Sequence, residues 1–451
     1  MTQIHPEAKR RFDERGELLV AGETGAPVTF DHARTQFVPD VPISGILSSA
    51  DLLGPLKQTS FDPDGYEVGR FAGTRDGSVL FEGKDHSELR DLAKSIQRTG
   101  HMRDSVNLET VVDWIIEWSL DRRLGRSPEP LTDYLVGRRK EAVACYQFTV
   151  PLHEPYIEIP FELGSTRLRP LNSQELEAWF ELPPGIPDKH YAATAERMVR
   201  RRRDLQGRTA VVVELEAEQN FAKEIAWNRA ETTAAILRVA SKGMFFPNAR
   251  TNCVPLGTAV SERQQFITHR NGELLGWSES VLDPESLGNW SLDRRMISQD
   301  LEYWSGIARL LDNETPTEFE RDLSRAYLLY SRVALTRDVS EKLVHLFAAL
   351  ESLLLRSESE PIQSAISERL AFVVGDDATQ RAEIARLLRS VYSLRSRFVH
   401  HGREPAEPRD LQAIKQLLYF AWRFFFQAIS VAQKFSARNE FLDQLELRKW
   451  Q

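Results

Sequence analysis

The strongest hydrophobic pattern lies near the end of the chain. Leu411, Ile414, Leu418, Ala421, Phe425, Ala428 and Ala432 recur at steps of three or four. That spacing places them on one face of a helix. Four segments before it read the same way: Phe319–Thr336, Ser340–Glu358, Ile362–Val374 and Gln380–His401 are each long and apolar enough for helices. Breakers separate them: Pro361, then Gly375 with Asp376 and Asp377, then Gly402 with Pro405 and Pro408. Apolar stripes need partners, and short connections make successive helices antiparallel neighbours. Residues 315–440 are therefore expected to form an all-α bundle.

The pattern before it is different. Residues 1 to roughly 100 are rich in Gly, Pro and Asp and carry short apolar runs such as Gly77–Gly83, which read as short strands and turns. Val106–Leu120 reads as a helix with Trp114 and Trp118 in its core face. Strands are expected over Glu141–Leu152, Tyr156–Leu171 and Gly207–Ala217, with a hairpin at Gly164–Ser165. Ser173 is placed to cap a short helix, Asn220–Ser241 reads as a longer one, and Asn271–Gly272 suits a type I′ turn inside a hairpin over Gln264–Ser278. The fold class is thus α+β: a mixed α/β region over 1–310, with a possible subdivision near 140, followed by the helical bundle.

Length and composition fit this division. A chain of 451 residues exceeds one compact core. With 41% hydrophobic and 27% charged residues it has the composition of a globular protein. The net charge of −8 argues against bulk nonspecific grip on nucleic acid, though not against a local basic cleft. Two cysteines, Cys145 and Cys253, make a disulfide framework or a cysteine metal site unexpected. No segment approaches the roughly 20 apolar residues of a membrane span, and the first residues lack the apolar core of a secretory signal. The expectation is a cytoplasmic protein without cofactor, metal or membrane partner. Phosphate-loop, HExxH and GxSxG motifs are absent.

Candidate chemistry concentrates in YSLRSRFVHHGREP (Tyr392–Pro405), which holds three arginines and two histidines. Leu387, Val391, Leu394 and Phe398 supply the apolar stripe of its helix. Ser396 and His400 are four apart, as are Arg397 and His401, so each pair shares a face. Gly402 is suited to a left-handed stop just past His401. Basic residues in a last turn are common because they complement the helix dipole. Glu351, inside the apolar run LFAALESLLL (Leu346–Leu355), stands either at a solvent boundary or as a buried partner for Arg395. The basic run ERMVRRRRD (Glu196–Asp204) reads as a solvated helix face. The phenylalanines of Ala421–Ile429 read as core and dimer interface.

Three features in order resemble the HEPN superfamily, within it the ApeA-type branch: Leu346–Leu355, Ser367–Val374, and Arg395–Gly402 with Arg395, Ser396 and His400 as R-S-x-x-x-H. The resemblance covers about a quarter of the chain. Ser396 stands where many nucleases of the superfamily carry Asn.

The resemblance implies a homodimeric, metal-independent endoribonuclease in which the RNA 2′-OH attacks the adjacent phosphorus. His400, with His401 as its rival, is expected to transfer protons, a role typically worth about 10²–10⁴-fold. Arg395 is expected to bind the phosphate, with Ser396, Arg397, His401 and Glu351 in support. By the same resemblance, the N-terminal region senses an unknown trigger in phage defence or toxin-like growth arrest. The alternative is a non-catalytic dimerisation scaffold that binds RNA, nucleotide or protein.

Overall fold

Among the described residues, helices dominate the second half of the chain, and small sheets are confined to the first two-thirds. The structure is a computed structural model. It describes residues 4–20, 56–74, 76–181, 188–258, 263–270, 273–281, 291–299, 301–313, 315–357, 359–403, 405 and 407–447. The chain divides into two compact units, residues 1–147 with 214–225, and residues 148–213 with 226–451.

The first unit begins with helix α1 (Pro6–Val20) and an antiparallel sheet of β1 (Leu56–Phe61), β2 (Glu67–Thr74) and β3 (Gly77–Glu82). Helices α2 (Gly83–Gln97), α3 (Leu108–Arg123) and α4 (Leu131–Ala142) follow. Trp114 and Trp118 of α3 are buried with Leu89, Leu92 and Ile96 of α2 and Phe81 of β3, as the spacing of the tryptophans predicts. Helices α1 and α2 depart from the expectation of strands and turns over the first hundred residues. Helix α1 is highly charged and buries little; its one fully enclosed residue is Gly16. A Cβ there would come within 2.8 Å of Leu131 and 3.2 Å of Trp118, so glycine permits the close approach of α1 to its neighbours.

Strand β4 (Val143–Pro151) starts in the first unit and belongs to a sheet of order β4-β8-β7-β6, with β6 (Phe161–Leu163), β7 (Thr166–Pro170) and β8 (Thr209–Glu218). The expected hairpin at Gly164–Ser165 joins β6 to antiparallel β7. Strand β5 (Tyr156–Ile157) pairs in parallel with β11 (Ser291–Leu292). Helix α5 (Ser173–Trp179) is capped by Asn172, whose side chain accepts from the Glu175 N–H, not by Ser173. Asn172 has the extended backbone of a cap, and Ser173 is already helical. Helix α6 (Asp188–Leu205) carries the basic run. Its arginines are largely exposed, with Arg200 3.9 Å from Asp204, one turn away. Helices α7 (Gln219–Arg238) and α8 (Lys242–Phe245) follow. Strands β9 (Arg263–Arg270) and β10 (Glu273–Val281) pair antiparallel; the turn Asn271–Gly272 lies outside the described residues.

Helices α9 (Arg294–Gln299) and α10 (Leu301–Asp312) lead into the helical C-terminal region: α11 (Glu318–Ser331), α12 (Val339–Leu354), α13 (Ile362–Val374), α14 (Ala378–His401), α15 (Pro408–Val431) and α16 (Arg438–Leu447). Each of α11 to α14 packs on the next, and α16 packs on α11 and α13. The starts follow local chemistry. Thr317 and Glu320 form a reciprocal capping box on α11, Asp338 caps α12, and Asp377 caps α14. On α15 the buried face comprises Ile414, Leu417, Leu418, Ala421, Phe424, Phe425, Ala428 and Ile429, a wider version of the expected stripe. Phe426 is partly exposed and stacks on Tyr303, with centroids 5.1 Å apart.

Arg369 of α13 is enclosed and donates to the Leu354 carbonyl, to both carboxylate oxygens of Glu360 at 2.8 Å, and to Glu446 of α16 at 3.2 Å. Those bonds hold the Glu360 carboxyl well below its usual range, at about 2. In the motif Ser367–Val374 this arginine is thus a structural tie. No described helix is long and apolar enough to cross a membrane.

Candidate functional site at the end of helix α14

Helix α14 is fastened by Ile384, Ala385, Leu388, Val391 and Leu394, which are buried. Leu387 and Phe398 sit at the margin of that stripe, so the core face is centred one residue away from the expected one. The helix ends where Gly402 turns left-handed, at φ 64°, and donates its N–H to the Phe398 carbonyl at 2.8 Å. Nothing lies within 4 Å of where a Cβ would stand on Gly402. Glycine is favoured there by the backbone angle alone.

About two turns before Gly402, Arg395 is partly buried and its guanidinium lies over the ring of Tyr392, 5.7 Å from the centroid. Tyr392 in turn meets the edge of Phe347 on α12, with centroids 4.9 Å apart. Four residues beyond Phe347, on the same face of α12, stands Glu351. Burial raises the Glu351 carboxyl above its ordinary value, and the charge of Arg395 opposes that rise. Burial, with the nearby Glu351, also raises the Tyr392 hydroxyl. Glu351 Oε1 and Arg395 Nε are both buried and have no hydrogen-bond partner among the described residues. The two readings of Glu351 resolve in favour of a half-buried neighbour of Arg395, although no ion pair joins them.

The histidines occupy a different setting. His400 and His401 are exposed in the last turn, with ring centroids 6.4 Å apart and planes inclined at 63°. Arg397 is exposed and Ser396 is half-buried. Arg395 and His400 are five residues apart on one helix, about 7.5 Å along the axis and about 140° around it. The structure therefore gathers Glu351, Tyr392 and Arg395 in one place and sets His400 and His401 on the open rim beyond them. Tyr392 was not among the expected site residues; its position three before Arg395, one helical turn away, is the signal that identifies it.

This arrangement holds a part-buried guanidinium whose Nε–H is enclosed and unpaired and, further along the helix, two exposed imidazoles. Arginine favours phosphate because its planar fork donates in pairs and stays charged. Compared with protein family models, with curated proteins and with solved structures, the chain matches none.

Proposed function

We propose that the C-terminal helical region is a metal-independent endoribonuclease of the HEPN type. The observation that carries this reading is Arg395: a part-buried cation with an unpaired Nε, on the same terminal turns as exposed His400 and His401. In the proposed reaction the RNA 2′-oxygen attacks the adjacent phosphorus. A P–O bond forms to the 2′-oxygen, the bond to the 5′-oxygen breaks, and a 2′,3′-cyclic phosphate is left. His400 moves protons between these oxygens, with His401 as the rival for that role. Arg395 neutralises charge on the phosphorane-like transition state. Ser396 and Arg397 orient the strand.

The angular separation of Arg395 and His400 fits a composite cleft, in which a second copy of the chain brings its own α14 alongside. The N-terminal region is proposed to respond to a trigger and restrain the nuclease, as in phage defence or toxin-like growth arrest.

The same separation favours a second reading, a non-catalytic homodimeric scaffold that binds RNA, nucleotide or protein. The deciding experiment digests total RNA with the full chain in excess chelator and assays 2′,3′-cyclic phosphate ends, with His400→Ala and Arg395→Ala in parallel. Cleavage lost in both variants supports the nuclease. Cleavage unchanged in both removes it, and no cleavage by the unsubstituted chain favours the scaffold.

A further inference from the structure

Helix α6 carries Arg197, Arg200, Arg201, Arg202 and Arg203 in a chain whose net charge is −8. Most helical stability in proteins comes from packing an apolar face. Among the described side chains of α6, over 191–205, none is buried. Met198, Arg202 and Leu205, at steps of four and three, are half-buried and form its inward side. Leu205 packs on the small core of Leu171, Leu176 and Ala210. Just beyond it, the Gln206 amide donates to the Ser173 hydroxyl at 2.9 Å and the Gly207 N–H to the Leu171 carbonyl at 2.9 Å. The helix is thus fixed at its C-terminal end and leaves its other side to solvent.

That other side is basic. Arg197, Arg200 and Arg201 stand at i, i+3 and i+4 and share a face, and Arg203 lies three residues beyond Arg200. All four are exposed, and they extend about 9 Å along the axis. Their ion pairs with described residues are confined to Asp204, 3.9 Å from both Arg200 and Arg203. The helix dipole accounts for Arg202 and Arg203, which sit in the last turn. It does not account for Arg197 and Arg201, like charges one turn apart that repel. These side chains add nothing to the core and oppose one another, so folding alone does not require them.

A polyanion turns that repulsion into attraction. Guanidinium forks pair with phosphate oxygens and stay charged. At physiological salt a charge acts over about 8 Å, so a strand laid on this face meets the arginines before the acidity of the chain as a whole. A membrane-surface helix needs a continuous apolar face beside its basic one. The large apolar side chains exposed on α6 are Tyr191 and Val199, which do not make one.

We infer that Arg197, Arg200, Arg201 and Arg203 form a phosphate grip for single-stranded RNA, away from the end of α14 in sequence and built on a different helix. The choice of RNA among polyanions rests on the nuclease reading. A flexible strand brings successive phosphates to a stripe this short without any base being read.

Fluorescence anisotropy of the full chain with a 2′-O-methylated RNA of about 12 nucleotides, titrated at several salt concentrations, tests this. The probe lacks the 2′-hydroxyl nucleophile, so binding is read whether or not the chain cleaves RNA. The variant Arg197→Gln/Arg200→Gln/Arg201→Gln/Arg203→Gln is expected to bind at least about tenfold more weakly at about 50 mM salt, with a log–log salt slope flatter by about 2–3. Glutamine matches arginine in helix propensity, so Tm should hold. Should it fall, Arg197→Gln/Arg201→Gln gives the same comparison with about half the change in slope. Lysine at the same four positions is expected to restore the slope; failure to do so would place the loss in the helix and not in its charge. Arg395→Ala removes at most one phosphate contact and should shift the slope by no more than about 0.7. Binding by a chain that shows no cleavage keeps the α6 grip and removes only the nuclease. The inference is overturned by no probe binding up to about 100 µM chain at about 50 mM salt, by unchanged affinity and slope in the glutamine variants, or by co-sedimentation with phosphatidylserine vesicles in place of RNA binding.

Discussion

Glu351 and Arg395 stand near enough for each charge to act on the other, yet no ion pair closes between them. Burial outweighs attraction at Glu351, so its carboxyl is raised. A raised carboxyl contributes stability below the ordinary carboxylate range and loses it as pH rises through the folded value. Glu351→Gln is therefore expected to raise Tm near pH 7.5, and the gain should vanish once the pH falls below the usual carboxylate pKa. Melting curves of both proteins across that range check this. A lower Tm for the variant at pH 7.5 would mean that the carboxylate is retained as a partner for Arg395.

Lys342 offers a second titration with the opposite direction. Burial lowers its amine to about 7, from an ordinary value near 10.5. The unfolded chain then binds a proton that the folded chain releases, between those two values. Stability attributable to this group rises as the pH is raised from about 7 toward 10.5, with a limiting slope of about 1.4 kcal/mol per pH unit. In Lys342→Met that slope should be missing. The variant also strips a donor from the buried carbonyls of Gly243 and Val333, so the diagnostic quantity is the pH dependence, measured by urea unfolding, and not the sign of the change at one pH.

Gly402 supports a prediction on the terminal turn itself. With φ at 64° and open space around its α-carbon, Gly402→Ala incurs only the conformational cost of a left-handed alanine, about 1 kcal/mol. The stop to α14 is weakened, and His400 and His401 fray. Hydrogen exchange of the last α14 amides should speed up in the variant while the α12 and α15 amides keep their protection. Faster exchange throughout the region would place the substitution's effect in the core.

The elements that sequence made legible are those whose burial is periodic. Helix α15 announces itself because Ile414, Leu418, Ala421, Phe425 and Ala428 repeat at helical steps behind Pro408, a residue suited to a first turn. Helix α1 escapes the same test: it presents mostly charge outward and meets its neighbours through Gly16, which a pattern reader takes for a breaker. The end of α14 was legible from Arg395, the paired histidines and Gly402. That Tyr392 carries the guanidinium follows from their i, i+3 spacing on α14, but that Phe347 backs Tyr392 and that Glu351 remains short of a salt bridge depends on how α12 packs on α14, which local spacing does not encode.

The composite cleft gives the most stringent prediction, because it depends on assembly as well as on side chains. Arg395 and His400 point about 140° apart on one helix. If each active centre takes the guanidinium from one copy and the imidazole from another, Arg395→Ala and His400→Ala are inactive separately. Mixed and allowed to exchange subunits, they form hybrid dimers with one centre that has lost both groups and one that keeps both. Random pairing makes about half the dimers hybrid, each with one of two centres intact, so roughly a quarter of the unsubstituted activity should return. The assay is metal-free RNA cleavage before and after exchange, with dimers followed by light scattering. If dimers exchange and no activity returns, Arg395 and His400 act within one copy or do not act together at all.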